Sequence, residues 1–365
     1  MPGPPPAMTT TRTATCWAAS EPKTALKQVP VELEPLGPNG VEVQVTHCAI
    51  CGSDVHLLEA DGGYADFGAW PKAQVCGHEI VGTVSGLGPG VSHLQVGQRV
   101  GVGWQCQACH ECEWCLNGDE QLCPAVSCTC CEGQVGGFAD YVRLADARFA
   151  YALPDSLDSA KTAPLLCGGQ TVWTPLRQQA KRDDRVGILG LGGLGSMALT
   201  FAGKMGFRRV VAVSSSGAKK DKALALGATD YCDHSSAEDL AKFAASLDFL
   251  LVTLATTREL PDVGKFFALL RPRGTACFVG MCPPITADVF TLGFTMNNIT
   301  TSNTGGRKDM RDMLDFCAHH GIGATIETRP MDDVNAALED LKTSHGIVRY
   351  VLCNDVDDEP IATAG

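Results

Sequence analysis

The sequence predicts an α/β protein of two domains, one a compact barrel-like domain of short antiparallel strands, the other a doubly wound parallel sheet. Three observations carry this expectation. The chain has 365 residues, more than one hydrophobic core ordinarily organises. Up to about residue 155 it consists of β-branched runs broken at glycines, the texture of a small barrel. From about residue 170 strand-like and helix-like segments alternate, as they do when helices cross over a parallel sheet.

Taken in order, "MPGPPPAMTTTRTAT" is Pro-rich, then Thr-rich, with no apolar stretch. It reads as a disordered tail over 1–15 rather than a secretory or organellar signal. Residues 16–157 follow as the barrel-like domain, with strands in "VEVQVTHCAI", "IVGTVSGLGPGVSHLQVGQRVGVG" and "GGFADYVRL". The parallel-sheet domain is expected over 158–303. There "RVGILG" is a buried strand, "LGSMALTFAGKMG" a helix, "RRVVAVSS" a strand and "KKDKALALGA" a helix, before the apolar strands "LDFLLVTL" and "GTACFVG". Residues 304–365 return to the first domain with two helices, in "DMRDMLDFCAHHGI" and "VNAALEDLKTSHGIVRYVLC", and a closing strand.

A net charge of −12 argues against a nucleic-acid partner, whose phosphates it would repel. No apolar run approaches the ~20 residues that span a bilayer. Eighteen cysteines in a large chain without a secretory signal point to metal ligands and free thiols, and so to the cytosol.

"RVGILG" runs directly into "GLGGLG", so Gly190, Gly192 and Gly195 form G-x-G-x-x-G, with Leu191, Gly193 and Leu194 between them. Placed between a strand and a helix, such a loop lets backbone N–H groups approach a dinucleotide's pyrophosphate. The end of the next strand selects the coenzyme. An Asp or Glu there holds the ribose 2′-OH of NAD. This chain instead has Ser214, Ser215 and Ser216 followed by Lys219, hydroxyls and an ammonium that suit the 2′-phosphate of NADP(H).

The cysteines fall into two settings. The stretch "CQACHECEWCLNGDEQLC" over 106–123 holds Cys106, Cys109, Cys112, Cys115 and Cys123. A closed structural zinc takes four thiolates, and a set starting at Cys106 competes with one starting at Cys109. Elsewhere "CAICGSDVH" offers Cys48 and Cys51, "CGHEIVG" offers Cys76, His78 and Glu79, and "PLLCGGQTV" offers Cys167. Together they suit an open catalytic zinc site of two thiolates and one imidazole.

"GHE", the Cys-rich lobe, "LLCGG", "GLGGLG" and "SSS-x-x-K", in that order, resemble the zinc-dependent medium-chain alcohol dehydrogenases, in particular the cinnamyl alcohol dehydrogenase branch and similar NADPH-dependent aldehyde reductases. The resemblance runs from about Cys16 to Cys353 and implies a GroES-like catalytic domain joined to a Rossmann coenzyme domain. It implies a catalytic zinc on Cys51, His78 and Cys167, with Glu79 as an alternate ligand and Asp54 on the other imidazole nitrogen of His78. The family's lobe reads C-x-x-C-x-x-C-x7-C, which selects Cys109, Cys112, Cys115 and Cys123 and leaves Cys106 out. Two zinc ions per chain are thus implied, along with a homodimer and a proton relay through Ser53, the nicotinamide ribose and His56. Trp104 and Trp70 are candidate pocket walls. Where relatives commonly have Pro before "GHE", this chain has Cys76.

The implied reaction is hydride transfer between NADP(H) and an aldehyde/primary alcohol pair, whether cinnamyl-type, aromatic or aliphatic. Two other readings use the same residues differently. A zinc-free quinone or enone reductase would share fold and coenzyme but leave Cys51, His78 and Cys167 without a task. A non-enzymatic, redox-sensitive zinc-binding protein would need only the lobe and leave the glycine loop unexplained, whereas redox sensing by the thiols of "SCTCC", namely Cys128, Cys130 and Cys131, would add to the enzyme reading rather than replace it.

Overall fold

A computed structural model describes residues 10–61, 64, 70–254, 264–280, 282, 284–343 and 346–354. Period-two burial begins earlier than the sequence suggested. In strand Arg12–Ala18, Ala14, Cys16 and Ala18 turn inward, and the strand pairs antiparallel with Lys27–Leu33. The expected tail over 1–15 therefore divides: 1–9 lie outside the described residues, and Arg12 to Thr15 already belong to this hairpin. The threonines that made the segment look disordered are β-branched and occupy its outward positions.

The main sheet of this unit has seven strands. Its path runs Ile326–Pro330, Arg349–Cys353, Val41–Ala49, Glu79–Leu87, Arg99–Val102, Ala150–Ala152, with Tyr141–Leu144 also paired to Val41–Ala49. Pairing is antiparallel except between Ile326–Pro330 and Arg349–Cys353, which run parallel. Helix Val334–Thr343 lies between those two in the chain, as a parallel crossover requires. The strand "IETRP" went unseen in the sequence because its inward positions are only half-buried and offer no apolar alternation. Glu42 ties the strands together: fully buried, it accepts from Arg12 Nε at 3.0 Å, Arg143 Nε at 2.7 Å and Ser85 Oγ at 2.9 Å. Burial alone would raise its pKa, but these partners outweigh that and hold it below the usual carboxylate range.

Contacts divide the chain at Cys167 and Gly306, against the expected 158 and 304. The turn Ala163–Leu166 remains with the first unit, since it packs on that unit's sheet. A Cβ on Gly103 would sit 2.5 Å from the Leu166 carbonyl oxygen, so only glycine allows this approach.

In the second unit six strands form one parallel sheet in the order Asp230–Asp233, Arg209–Ser214, Arg185–Leu189, Leu247–Val252, Leu270–Phe278, Asn298–Thr301. By position in the chain this is 3-2-1-4-5-6, the doubly wound order whose switch point flanks the first strand. Arg185–Leu189 is buried from Val186 to Leu189 and feeds helix Gly193–Met205 through the glycine loop. Among the described residues no helix is long and apolar enough to cross a membrane.

Candidate active site and metal centres

Strand pairing brings the first set of residues together. Ala49 pairs with Glu79 across the antiparallel ladder, so the end of one strand lies beside the start of the other. Cys51 follows the first strand and caps helix Gly52–Glu59; His78 immediately precedes the second. Asp54, fully buried, locks both. Its Oδ2 accepts from the Cys51 N–H at 2.8 Å, while Oδ1 accepts from the Gly77 N–H at 2.9 Å and lies 3.0 Å from His78 Nδ1. Gly77 has φ +94, and a Cβ there would lie 2.8 Å from Cys48 Sγ, so the residue before this histidine must be glycine.

With Nδ1 on Asp54, His78 presents Nε2, which is buried and has no hydrogen-bond partner among the described residues. Such an atom is costly unless something binds it. The ligand atoms of Cys51, His78, Glu79 and Cys167 all lie within 4.8 Å of one another. Contact with Cys167, together with the His78 imidazole, pulls the Cys51 thiol well below its usual range. Cys167 is pushed well above it by the same contact and by burial. Burial would lower His78, but Asp54 and Cys167 hold it well above the ordinary imidazole value. One imidazole nitrogen and two sulfurs facing a common point fit a borderline-soft divalent ion such as zinc.

Glu79 joins this set, although both its oxygens also lie 2.7 Å from Arg349 Nη2. Burial lifts its carboxyl to about 8 against the pull of that guanidinium. Arg349, which also donates to the Ile50 carbonyl at 2.9 Å, escaped the sequence reading. The available signal was an arginine inside the apolar strand Arg349–Cys353, since a buried cation requires a buried carboxylate.

Around this set the structure places Ser53 in the first turn of Gly52–Glu59, hydrogen-bonded to Tyr64. His56 Nδ1 lies 2.7 Å from Asp61 Oδ1, with its ring stacked on Tyr64 at 6.3 Å. Tyr64 was likewise missed. Trp104 meets the His78 ring edge-on at 4.8 Å, whereas Trp70 is half-buried against the core of the first unit. Cys130 Sγ lies 3.7 Å from His78 Nδ1, on the Asp54 side of the ring, and Cys128 and Cys131 are hydrogen-bonded to each other. Cys48 and Cys76 are buried thiols, pushed well up by burial, outside the group that includes Cys51.

The second set is local. Cys109, Cys112, Cys115 and Cys123 bring their sulfurs within 4.8 Å of one another. Cys109 Sγ lies 3.5 Å from Cys123 Sγ and 3.9 Å from Cys115 Sγ. Backbone N–H groups point at these sulfurs: Cys112 to Cys109 Sγ at 3.4 Å, Cys109 to Cys123 Sγ at 3.4 Å and Ala125 to Cys123 Sγ at 3.3 Å. Amide donors from Glu111 and Cys112 bring Cys109 down to about 6, while burial and the neighbouring thiols push Cys115 up to about 12. Four sulfurs close a tetrahedron and leave no open position. Cys106 lies on strand Gln105–Gln107, outside the group, and burial pushes its thiol up to about 12.

In the second unit Gly190 takes φ +97 between strand and helix, and a Cβ on Gly195 would fall 1.9 Å from the Gly190 carbonyl oxygen. Gly192 has no heavy atom near its missing Cβ, an opening of the kind that a pyrophosphate approaches. Leu191 is buried; Gly193 and Leu194 open the helix. Strand Arg209–Ser214 ends at a buried Ser214, beyond which Ser215 and Ser216 are exposed. Lys219 Nζ donates to the Leu191 carbonyl at 3.0 Å, so its ammonium sits against the glycine loop.

Residues 37–155 match the family model described as alcohol dehydrogenase GroES-like domain, and residues 193–319 the one described as zinc-binding dehydrogenase. The chain is 34% identical to the aldehyde reductase AdhA of Synechocystis over 330 residues, 89% of this chain and 95% of that protein. The structure of the cinnamyl alcohol dehydrogenase SbCAD4 from Sorghum bicolor superposes with a TM-score of 0.86 at 32% identity, covering 94% of this chain and 98% of that one. CAD from Helicobacter pylori, solved in complex with NADP(H), superposes with a TM-score of 0.83 at 27% identity, over 94% and 99% of the two chains. A GroES-like unit and a Rossmann-like unit, matched over nearly their whole length by these relatives, make the chain a member of the zinc-binding medium-chain alcohol dehydrogenase/reductase family.

Proposed function

We propose that this oxidoreductase interconverts aldehydes and primary alcohols with NADP(H), using a catalytic zinc on Cys51, His78 and Cys167 and a structural zinc on Cys109, Cys112, Cys115 and Cys123. The observation that carries this reading is the buried Nε2 of His78, near two thiols and without a hydrogen-bond partner among the described residues. A zinc-free reductase would leave that atom desolvated and unused. Zinc held there supplies a Lewis acid for a substrate carbonyl. Asp54 fixes the His78 tautomer and orientation, and Glu79, tethered to Arg349, is the alternate ligand.

Backbone N–H groups of the Gly190–Gly195 loop hold the coenzyme's pyrophosphate, and Ser214, Ser215, Ser216 and Lys219 hold its 2′-phosphate. The NADP(H) complex of the Helicobacter pylori relative supports that choice. Ser53 and His56 carry a proton between the site and solvent, with the His56 ring held by Asp61 Oδ1 2.7 Å from its Nδ1. The substrates of the aldehyde reductase and cinnamyl alcohol dehydrogenase relatives support an aldehyde as the carbonyl partner. A homodimer is supported by edge strand Asn298–Thr301 and by Phe290 and Phe294, 74% and 78% exposed on the neighbouring helix. Clustered thiols kept as metal ligands suit the reducing cytosol.

The test is metal analysis together with an aldehyde panel assayed with NADPH and NADH. Two zinc ions per chain and NADPH-dependent reduction are expected. Fewer than two metals in freshly purified active protein, or equal use of both coenzymes, would overturn the corresponding part.

A further inference from the structure

Away from the metal sets, the first unit has a groove of about 450 Å³ whose polar lining is His93, Arg148, Tyr151, Arg307, Arg311 and Asp315. It shares no residue with either metal set. Three guanidiniums around one depression are unexpected on a chain of net charge −12, and their partners show which charges are already answered. Arg148 is held by Asp146 through Nε at 2.8 Å and Nη2 at 3.0 Å. Arg307 meets the buried Glu120 through Nε at 2.7 Å, and among the described residues its Nη groups make no hydrogen bond. Arg311 is exposed and makes no ion pair or hydrogen bond among the described residues. Tyr151 is only 5% exposed, yet its hydroxyl takes part in no hydrogen bond among the described residues.

Arg307, Arg311 and Asp315 follow one another at four-residue intervals on helix Arg307–His320, so they line a single face. One stretch of the groove therefore offers two guanidiniums and a phenol, and a turn further on there is a carboxylate that is also without a partner among the described residues. Burial raises the Tyr151 phenol above its usual range against the pull of Arg307 and Arg311, so at neutral pH it acts as a donor. Guanidinium forks and a phenolic O–H match the oxygens of a phosphoryl group. Asp315 would repel a second anion and accept from a hydroxyl.

We propose that this groove is a binding site for a small phosphomonoester carrying hydroxyl groups, its phosphoryl oxygens on Arg307, Arg311 and the Tyr151 hydroxyl and a hydroxyl on Asp315.

Calorimetric titration of the full, zinc-loaded chain with glycerol 3-phosphate, inorganic phosphate and glycerol tests this. Saturable binding of glycerol 3-phosphate is expected, weaker binding of inorganic phosphate, and none of glycerol. Arg311→Ala should weaken glycerol 3-phosphate about tenfold or more and Tyr151→Phe about threefold, the loss of charge-assisted and neutral donors respectively. Asp315→Asn should weaken glycerol 3-phosphate and leave inorganic phosphate unchanged. Lys219→Ala should alter neither, which separates the groove from the coenzyme's phosphate contacts. Among the described residues neither Arg311 nor the Tyr151 hydroxyl has an internal hydrogen bond to lose, so both variants should melt like the parent. The absence of saturable binding would overturn the proposal, as would unchanged affinity in Arg311→Ala or loss of binding in Lys219→Ala. Equal affinity for glycerol 3-phosphate and inorganic phosphate would overturn the assigned class.

Discussion

Cys109, Cys112, Cys115 and Cys123 come from one loop and are held by that loop's own amides, whereas Cys51, His78 and Cys167 come from three separate stretches held by the sheet. Under the proposed function, the difference lies in what each set would have to do. A lobe that braces itself needs four equivalent thiolates, short spacing and N–H···S bonds. A site that is to take a substrate needs fewer ligands, rigid support and an open position. The sheet provides that support through Asp54, which joins the ends of two strands, and through Arg349, which reaches Glu79 from a third.

The largest effect should come from breaking the distributed set. Cys51→Ala, His78→Ala and Cys167→Ala should each lower aldehyde reduction by about a thousandfold or more, the several kcal/mol a metal Lewis acid contributes. Fluorescence titration of NADPH should remain close to normal in all three. Equivalence is the demanding part, since only a shared ion links Cys167 functionally to residues so early in the chain. A Cys167 variant with full activity and one fewer zinc would break the comparison.

The lobe should respond in stability instead. Cys109→Ala should cost a few kcal/mol, read as a fall of roughly 5–10 °C in Tm, because a closed site contributes its binding energy to folding. Cys106→Ser should leave zinc content and Tm near the parent, since Cys106 lies outside the group. Loss of zinc from the Cys106 variant, with retention in Cys115→Ser, would reverse the assignment.

The two sets also differed in how they could be read. The lobe's spacing stands in the sequence, and the family frame selects four of its five cysteines because the seven-residue interval before Cys123 admits only that register. The distributed set is legible only through resemblance: periodicity cannot show that Ala49 pairs with Glu79, nor that Gly103 lets the Leu166 turn close on the sheet. Strand alternation and the glycine loop made both sheets readable. Strand Ile326–Pro330 was not, since burial across it is partial, and neither was the Arg349–Glu79 pair, whose members are 270 residues apart. Hairpin Arg12–Ala18 was obscured by threonines that resemble linker composition but sit on an outward edge.

A smaller effect sharpens the comparison at Asp54. Both its oxygens are engaged: Oδ2 accepts from the half-buried Cys51 N–H, Oδ1 from the buried Gly77 N–H and the His78 ring. Asparagine in the same pose must turn its NH₂ toward one of those donors, leaving a buried N–H unpaired at a cost of about 1–3 kcal/mol. If the NH₂ faces Cys51, the His78 ring keeps its acceptor but loses the anionic charge behind it. Zinc affinity at the distributed set should then fall about 10- to 100-fold, measured by competition with a chelator. A zinc ion on the proposed lobe site, where no carboxylate lies among the four sulfurs, should be released as slowly as before.

The smallest effect lies in the other unit, which contributes no residue to either metal set. Lys219→Ala removes an ammonium that rests on the Leu191 carbonyl beside the glycine loop. If that ammonium meets the 2′-phosphate, NADPH should bind about tenfold more weakly, the loss of one charge-assisted contact. NADH, which has no such phosphate, should be almost unaffected, because the proposed pyrophosphate cradle of Gly190, Gly192 and Gly195 rests on backbone geometry that the substitution does not alter. The ratio of the two dissociation constants is thus the quantity to measure. Zinc content and Tm should both stay at the parent's values. Equal weakening of both coenzymes would show that Lys219 supports the loop through Leu191 rather than reading the phosphate.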